Sequence, residues 1–143
     1  MDGVEIRRFE ERDRTEVVEL WERCDLVRPW NDPHRDIDRK IEHAHDLLLV
    51  AAIGARVVGT VMVGEDGHRG WINYLAVDPD QRRQQLGARL MSEAERRLRA
   101  LGCVKINLQI RRTNSDVQSF YERLGYTDDD VISMGKRLGD EPQ

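Results

Sequence analysis

Residues 71–91 read WINYLAVDPDQRRQQLGARLM, and this stretch decides the fold. Its first part, WINYLAV, is an apolar run of strand length that ends at an Asp-Pro pair. After a polar turn, apolar side chains recur at helical spacing over about residues 86–100, and Gly102 ends that helix. Residues 104–110, VKINLQI, then alternate as a strand. A strand, a helix and a strand in this order predict a right-handed parallel crossover.

The rest of the chain supplies further elements on both sides of this crossover. Asp13 and Glu16 are spaced like a capping box at the start of an early helix. The order of elements predicts an α/β fold: a mixed, mostly antiparallel twisted sheet with a central parallel β-α-β crossover and helices on both faces. The additional predicted segments are a loop at 26–36, helices from Asp13 and over 37–44 and 114–124, and strands at 4–9, 47–53, 57–63, Tyr126 and 131–138.

The composition predicts one globular domain that needs no disulfide. The chain has 143 residues, of which 39% are hydrophobic and 35% charged, and its net charge is −4. We therefore expect a single domain over residues 4–138 and a disordered tail, GDEPQ, at residues 139–143. Cys24 and Cys103 match no metal or redox spacing, which favours reduced thiols in a cytoplasmic protein.

The same totals argue against several classes of partner. No apolar stretch reaches the roughly 18 residues that cross a bilayer, so no membrane partner is expected. The acidic, polar N-terminus is unlike a signal peptide. A net negative charge argues against nucleic acid. His34, His43 and His45 are scattered, so no metal is expected.

The turn before the long helix has the features of an anion site. The first N–H groups of a helix have no intrahelical partner, and the helix dipole favours negative charge there. Gly87 lets the backbone approach a ligand closely, and Arg82, Arg83 and Arg89 add positive charge. Arginine at a helix N-terminus is otherwise unfavourable for the dipole. The turn therefore suits a diphosphate, and the alternative is a solvated, arginine-rich helix start.

Two motifs in this chain resemble those of the GNAT superfamily of acyl-CoA-dependent N-acyltransferases. Their pyrophosphate loop reads Arg/Gln-x-x-Gly-x-Gly/Ala, and here Arg82 and Gly87 match its ends while Gln85 replaces the middle glycine. If that position requires a positive φ, glutamine is less favourable there than glycine. The second motif is Asn114 followed by FYERLGY at residues 120–126.

The resemblance covers residues 4–138 and implies a GNAT-like fold. Residues 21–33, WERCDLVRPWNDP, and 66–70, DGHRG, further resemble the YpeA-type bacterial branch. The resemblance implies acetyl-CoA as co-substrate and a small-molecule or peptide amine as acceptor. It also implies direct attack of the amine on the thioester, with no covalent enzyme intermediate and no metal.

The resemblance also implies roles for particular residues. The strand at Leu75, Ala76 and Val77 would pair its backbone with the pantetheine arm, and a backbone N–H near Leu75 would polarise the thioester carbonyl. Tyr121 would protonate the leaving thiolate, and Asn114 would contact pantetheine. The diphosphate would be held by the turn residues Arg82, Arg83, Gln84, Gln85, Gly87 and Ala88.

The roles implied for Asn114 and Tyr121 each have a structural alternative. Asn114 is in the position of a helix N-cap and could serve as both cap and cofactor contact. Tyr121 lies on the apolar stripe of its predicted helix, together with Phe120 and Leu124, so core packing would also explain it.

The general base is left open by the sequence. An amine is mostly protonated at neutral pH, so some group must take its proton. In one branch of the family a glutamate before the asparagine does this, but the aligned residue here is Gln109. Glu65, Asp66, His68 or a water chain are the alternatives, and a lone loop histidine also fits a solvent-facing role.

The acceptor site is expected on a loop rather than in the crossover. The stretch LVRPWNDPHRD at residues 26–36 mixes Trp30 with Arg28 and Asn31, and such loops often carry recognition residues. Tyr74 could also face the acceptor. In the alternative interpretation, Trp30 plugs the core edge and the charges are solvated.

Two hypotheses for function follow. One is an acetyl-CoA-dependent enzyme, and the other is a GNAT-like module that senses acyl-CoA or binds a partner without turnover. Gln85 and Gln109 favour the module, whereas Tyr121 and Asn114 favour the enzyme. A homodimer through an exposed strand edge after Val131 is a further alternative.

Overall fold

A computed structural model describes residues 3–139, apart from the side chains of Arg82, Arg83 and Gln84. The tail predicted at residues 139–143 lies, beyond Gly139, outside the described residues. The chain divides into two compact units, the first up to Asn107 and the second from Leu108. The single domain predicted over residues 4–138 stays a prediction.

A five-stranded sheet forms the centre of the first unit. Its strands follow the order β1-β2-β3-β4-β5, the first three pairings are antiparallel, and β4 and β5 are parallel. This confirms the predicted mixed sheet with one parallel crossover. The strands are β1 (Val4–Arg8), β2 (Leu48–Ile53), β3 (Arg56–Glu65), β4 (Gly70–Val77) and β5 (Ile106–Leu108).

Three helices accompany the sheet: α1 (Arg14–Arg23), α2 (Pro33–Ala44) and α3 (Leu86–Ala100). The predicted bounds of α3 are confirmed. The prediction that residues 26–36 form a loop is wrong in its second half, because α2 begins at Pro33. The Asp32 side chain accepts hydrogen bonds from the next backbone N–H groups, and proline suits the first helical position, so Asp-Pro is a start signal here.

Asp13 lies at the N-cap position of α1 as predicted, but its side chain makes no cap hydrogen bond, so the predicted capping box is wrong. The Asp13 carboxylate instead accepts from Arg7 at 2.8 and 3.0 Å and from the backbone N–H of Glu10 at 2.8 Å. Glu16 accepts from the backbone N–H of Val57 at 2.9 Å. Both carboxylates therefore join the helix to the sheet, a non-local use that the spacing of a capping box does not reveal.

Helices cover both faces of the sheet, as predicted. Successive strand residues point to opposite faces. On β3, Thr60 accepts from Trp21 Nε1 of α1 at 2.9 Å. A Cβ at the preceding residue, Gly59, would lie 2.9 Å from Leu90 of α3. Helices α1 and α3 therefore pack on opposite faces.

Strand β4 is not the regular strand that the sequence predicts. Thr60 pairs with Ala76 and Met62 with Asn73, so two residues of β4, Tyr74 and Leu75, oppose one residue of β3. Tyr74 has a φ of 50°. An extra residue of this kind is a β-bulge, which bends the strand and redirects its side chains.

The second unit contains helix α4 (Ser115–Arg123), which ends before Gly125 at a φ of 95°. The strands predicted at Tyr126 and residues 131–138 are wrong, since these residues form no strand in the part of the chain that the structure describes. Four apolar side chains there are 75 to 93% exposed. A strand needs a hydrogen-bonded neighbour, which alternation alone does not supply. The four exposed apolar side chains are those of Val131, Ile132, Met134 and Leu138.

Candidate functional site

The turn between β4 and α3, where the sequence predicts an anion site, leads directly into the N-terminus of a helix. A 3-10 turn covers Pro79–Gln84, and α3 begins at Leu86, so backbone N–H groups of a helix start follow directly on a strand end. Gln85 joins them in the left-handed region, with φ 54° and ψ 31°. The middle glycine of the motif is thus replaced at a position with positive φ. The roles of the Arg82, Arg83 and Gln84 side chains lie outside the described atoms.

Asp78 anchors the start of this turn. Its carboxylate is 1% exposed and accepts from the backbone N–H of Asp80 at 2.9 Å, from Arg56 at 3.2 Å and from Arg23 at 3.3 Å. Burial opposes ionisation, but these donors and positive charges outweigh it and lower the pKa of Asp78. In the sequence, the Asp-Pro pair predicts only the end of a strand. The anchor has no local signal, because its arginines come from distant segments.

The last residues of β4 are the ones expected to pair with pantetheine. Leu75 and Val77 are half-buried, whereas Ala76 is buried and belongs to the core. β5 has three residues and β4 has eight, so β5 can pair with part of β4. The Val77 carbonyl accepts from the Cys24 thiol at 3.4 Å. The backbone orientation in this segment is set by the bulge at Tyr74 and Leu75.

Tyr74 is held by contacts from three other elements. Its ring stacks on Trp21, with 3.7 Å between centroids and 10° between planes. Its carbonyl accepts from Thr60 Oγ1 at 2.8 Å. Its hydroxyl donates to Asp36 Oδ2 at 2.5 Å and accepts from Asn31 Nδ2 at 2.7 Å. Ring, backbone and hydroxyl are therefore all fixed.

The environment of Tyr74 keeps its phenol protonated. Burial is the main cause of a raised pKa, and the hydrogen bond to Asp36 adds to it. The hydroxyl can therefore donate at neutral pH and does not act as a phenolate. Asp36 and Thr60 were not predicted as site residues, because α2 and β3 are far from Tyr74 in sequence.

The predicted acceptor loop is partly brought to Tyr74. Asn31 Oδ1 accepts from the backbone N–H of Arg28 at 2.8 Å, which orients the Asn31 amide toward the Tyr74 hydroxyl. Trp30 is 49% exposed, so it does not plug the core edge. Arg28, Asn31 and Tyr74 thus lie together, with Trp30 beside them in sequence.

His68 belongs to a different feature, the turn between β3 and β4. Asp66 accepts from the backbone N–H groups of His68 at 2.9 Å and Arg69 at 2.7 Å, and from Trp71 Nε1 at 3.1 Å. The backbone hydrogen bonds, with that of Arg69 the largest, lower the pKa of Asp66 to about 2. Glu65 accepts from the Gly67 N–H. Both carboxylates therefore hold the turn, and the described contacts of His68 stay within it.

The second unit carries the two remaining predicted residues. Asn114 caps α4, with its side chain accepting from the Val117 N–H at 3.3 Å. Tyr121 is 7% exposed, and burial raises its pKa to about 12. Its ring meets Phe120 and Tyr126 edge-on at 5.0 and 5.5 Å. The structural alternatives, N-cap and core packing, are therefore both realised, and neither excludes a role toward a cofactor.

Two absences are observed within the residues that the structure describes. They contain no group of three or more His, Cys, Asp or Glu side chains that could hold a metal ion. In this same part of the chain, no helix combines the length and apolarity needed to cross a bilayer.

Sequence comparison finds acetyltransferases. The model of the acetyltransferase (GNAT) family matches residues 14–126. A relative from Sodalis glossinidius (strain morsitans), Acetyltransferase SG1711, is 52% identical over 136 residues, which is 94% of this chain and 96% of the relative.

Solved structures share the fold at lower identity. An acetyltransferase from Streptococcus agalactiae superposes with a TM-score of 0.81 at 18% identity, covering 99% of this chain and 95% of the other. A glucosamine-6-phosphate N-acetyltransferase from Arabidopsis thaliana gives a TM-score of 0.70 at 22% identity, covering 95% and 99%. At this identity the likeness shows the fold alone.

Proposed function

This chain belongs to the acetyltransferase (GNAT) family, and from that premise we propose that it transfers the acetyl group of acetyl-CoA to a primary amine. The family establishes an acyltransferase, and the donor and acceptor are our inference. The observation that carries the proposal is the bulged end of β4 next to the turn that begins α3. The distorted strand is suited to pair with a thioester arm. The helix N-terminus is suited to bind a diphosphate.

The diphosphate would bind to the turn between β4 and α3. Backbone N–H groups of residues 83–88 would contact it, with the positive charge of Arg82 and Arg83 nearby in sequence. Gly87 follows the start of α3 and would leave room for a ligand. The buried Asp78 holds the turn in place from the protein side.

The chemistry would be direct attack on the thioester. The amine nitrogen forms a bond to the carbonyl carbon, and negative charge develops on the carbonyl oxygen. A backbone N–H near Leu75 would stabilise that oxygen, and one such donor is commonly worth about 3 kcal/mol. The bulge supports this role because it takes Leu75 out of the regular pairing with β3.

Tyr121 would protonate the departing thiolate. Its phenol is protonated at neutral pH, since burial raises its pKa to about 12, and a group in that state can act as a general acid. Asn114 would contact the pantetheine arm while its side-chain oxygen caps α4. Both roles are carried over from the family motifs.

The acceptor would be a small-molecule or peptide amine held near Arg28, Trp30, Asn31 and Tyr74. A protein that shares this fold is named glucosamine-6-phosphate N-acetyltransferase, which supports a small amine as acceptor. His68 lies in a separate turn and is a weaker candidate. Assignment to the YpeA-type branch and a cytoplasmic location with reduced Cys24 and Cys103 remain part of this proposal.

A binding module without turnover is the second candidate. Gln85 favours it, because it replaces the middle glycine of the family's pyrophosphate motif at a position with positive φ, which only glycine adopts without steric cost. Gln109 favours it too, since it hydrogen-bonds to Ser133 and cannot act as a base. The homodimer also remains a proposal, although no strand edge is described after Val131.

One pair of variants separates the enzyme from the module. Tyr121→Phe keeps the ring and removes the acid, so we expect amine-dependent CoA release to fall by about 100-fold while acetyl-CoA binding by calorimetry is retained. Tyr126→Phe, which changes the tyrosine that contacts Tyr121, is the matched control and should keep its turnover. Acetyl-CoA binding without turnover in the wild-type protein would favour the module.

A further inference from the structure

The acceptor amine needs a proton acceptor, and the residues first considered do not supply one. Gln109 has no basic group, and Glu65 and Asp66 hold the turn between β3 and β4. His68 shares that turn. A group that takes a proton from the amine should instead lie beside the bulge of β4, where the thioester carbonyl is proposed to bind.

We propose that Tyr74 and Asp36 form a proton relay for a cationic primary amine: the amine contacts the Tyr74 hydroxyl, and Asp36 receives the proton. This inference rests on the proposed acetyl transfer. Tyr74 is the catalytic residue in the relay, because it would touch the amine. Asp36 acts through Tyr74.

The hydrogen bonds around Tyr74 leave one position for the amine. A hydroxyl oxygen has one donor hydrogen and two lone pairs. The hydrogen is directed to Asp36 Oδ2 at 2.5 Å, and one lone pair accepts from Asn31 Nδ2 at 2.7 Å. An ammonium N–H can donate to the second lone pair. Asn31 thereby fixes the direction in which Tyr74 donates.

The bulge contains both Tyr74, which carries this hydroxyl, and the next residue, where the reaction centre is proposed. Tyr74 immediately precedes Leu75, whose backbone N–H is the proposed donor to the thioester oxygen. The stack on Trp21 and the hydrogen bond from Thr60 fix the Tyr74 ring and carbonyl. The proton acceptor and the oxyanion donor are therefore held by consecutive residues of one distorted strand.

The carboxylates around Tyr74 favour a cation, and the positive charge of Arg28, which is linked to Tyr74 through Asn31, is paired with Asp25 at 3.6 Å. Asp36 from α2 contacts the hydroxyl, and Asp32 at the start of α2 acts on it electrostatically. The Asp32 carboxylate accepts from the N–H groups of His34 and Arg35, so its role is to cap the helix. The groups that contact Tyr74 from α1 and β3 are the uncharged Trp21 and Thr60.

The proton count of the relay is balanced. The ammonium gives one proton to the Tyr74 oxygen as Tyr74 gives its own proton to Asp36, which leaves a neutral amine, a phenol and a carboxylic acid. The nitrogen then bonds to the acetyl carbon, and the carbon–sulfur bond breaks. The nitrogen loses its second proton as CoA gains one as a thiol. Asp36 finally releases its proton to water, which is the one net proton of the reaction.

The test uses Asp36→Asn and Tyr74→Phe in the full chain. Asparagine can still accept from Tyr74 but cannot hold the proton, and phenylalanine keeps the stack on Trp21. Asp38→Asn is the matched control, because Asp38 lies on the same helix and contacts Arg14 rather than Tyr74. The probes are glucosamine, kanamycin and Nα-acetyl-lysine amide, and the fastest with wild-type protein is used throughout.

The pH dependence distinguishes a relay from a structural role. At about pH 7 we expect kcat/KM to fall about 100-fold in Asp36→Asn and in Tyr74→Phe. The loss should shrink as pH rises through the pKa of the amine used, which is about 10.4 for a lysine-like amine, because a neutral amine no longer needs a base. Asp36→Glu should recover part of the rate at about pH 7, and Asp38→Asn should match wild type.

Three results would overturn the relay. A loss that is the same at every pH would mean that Asp36 and Tyr74 only position the strand, and acetyl-CoA affinity measured by calorimetry would then fall as well. Variants that keep wild-type kcat/KM would exclude both residues. A wild-type protein that acetylates none of the three amines would overturn the acetyl transfer itself, and the relay with it.

Discussion

Tyr74 and Gln85 have φ angles of 50° and 54°, although neither is glycine. Non-glycine residues in this region cost of order 1 kcal/mol or more, and they persist where surrounding contacts impose the conformation. For Tyr74 those contacts are the stack on Trp21 and the hydrogen bonds of its hydroxyl and carbonyl. Gln85 begins α3 without a side-chain cap hydrogen bond. Both lie at the proposed site.

Replacing Gln85 by glycine should stabilise the protein. Glycine adopts positive φ at no steric cost, so we expect the free energy of unfolding to rise by about 1 kcal/mol. Urea denaturation measures this directly. The control Gln84→Gly changes the preceding residue, in the 3-10 turn, and should destabilise slightly because glycine is more flexible when unfolded. An unchanged or lowered stability in Gln85→Gly would mean that strain is not stored at this residue.

Because of the ion pair between Asp13 and Arg7, the free energy of unfolding should depend on pH in the acidic range. Burial alone would raise the pKa of Asp13, but hydrogen bonds from Arg7 and the Glu10 N–H outweigh it and lower that pKa. A lowered pKa in the folded state means that the stabilisation is present above the unfolded pKa of about 3.9 and is lost as pH falls through the folded pKa.

Asp13→Asn is the variant that tests this pair. At about pH 7 we expect it to lower the free energy of unfolding by about 3 kcal/mol, since Arg7 loses a partner that is 3% exposed. The difference from wild type should begin to shrink below about pH 4, where Asp13 is protonated in the unfolded chain, and should be lost as pH falls through the lowered folded-state pKa. Asp46→Asn, which changes an exposed partner of Arg8, should have little effect. A deficit that stays constant with pH would contradict the ionic account.

At the scale of elements, close packing of α3 on the sheet depends on glycine. A Cβ at Gly70 would lie 2.6 Å from Leu98 Cδ1, closer than atoms can approach. We expect Gly70→Ala to lower the free energy of unfolding by about 1 to 3 kcal/mol, and Leu98→Val in the same chain to recover part of it. Gly64→Ala is the control, because its Cβ would meet nothing closer than 3.8 Å. Additive effects of the two changes at Gly70 and Leu98 would contradict the packing account.

Elements with strong local signals could be predicted from the sequence. The bounds of α3 follow from apolar spacing and from Gly102, which has a φ of 88°. The start of α2 could have been found too, because Asp32-Pro33 is a local signal that was given less weight than the loop composition. The bulge of β4 and the absence of strands at residues 126–138 could not, since both depend on what lies beside the chain.

The residues of the candidate site also fall into those that the sequence predicts and those that it does not. The turn proposed for the diphosphate follows a local Asp-Pro signal and precedes an apolar helix pattern, so the position of a turn between β4 and α3 could be predicted. Asn31 and Tyr74 were predicted separately as acceptor residues, and the structure joins them directly. Asp36 ends the segment that was predicted to hold the acceptor, but it was not singled out, because it meets Tyr74 across 38 residues of sequence. Asp78, 1% exposed between two arginines, was missed for the same reason.

In the molecule as a whole, a family fold carries a specific arrangement of hydrogen-bond donors and acceptors. The sheet carries a bulge that redirects Tyr74 and Leu75, and the following turn presents the N-terminus of α3. Helix α2 contributes Asp36, which lies 38 residues before Tyr74 in the sequence. Together these features would hold acetyl-CoA, stabilise charge on its carbonyl and remove a proton from an amine.

The most direct test of acetyl transfer is to measure both products of a single reaction. Purified wild-type protein would be incubated with acetyl-CoA and each of glucosamine, kanamycin and Nα-acetyl-lysine amide, with free CoA and acetylated amine quantified by mass spectrometry. The account predicts that both products rise together in equal amounts with at least one amine, and that neither rises without protein. CoA formed without acetylated amine, or no product with any of the three, would contradict it.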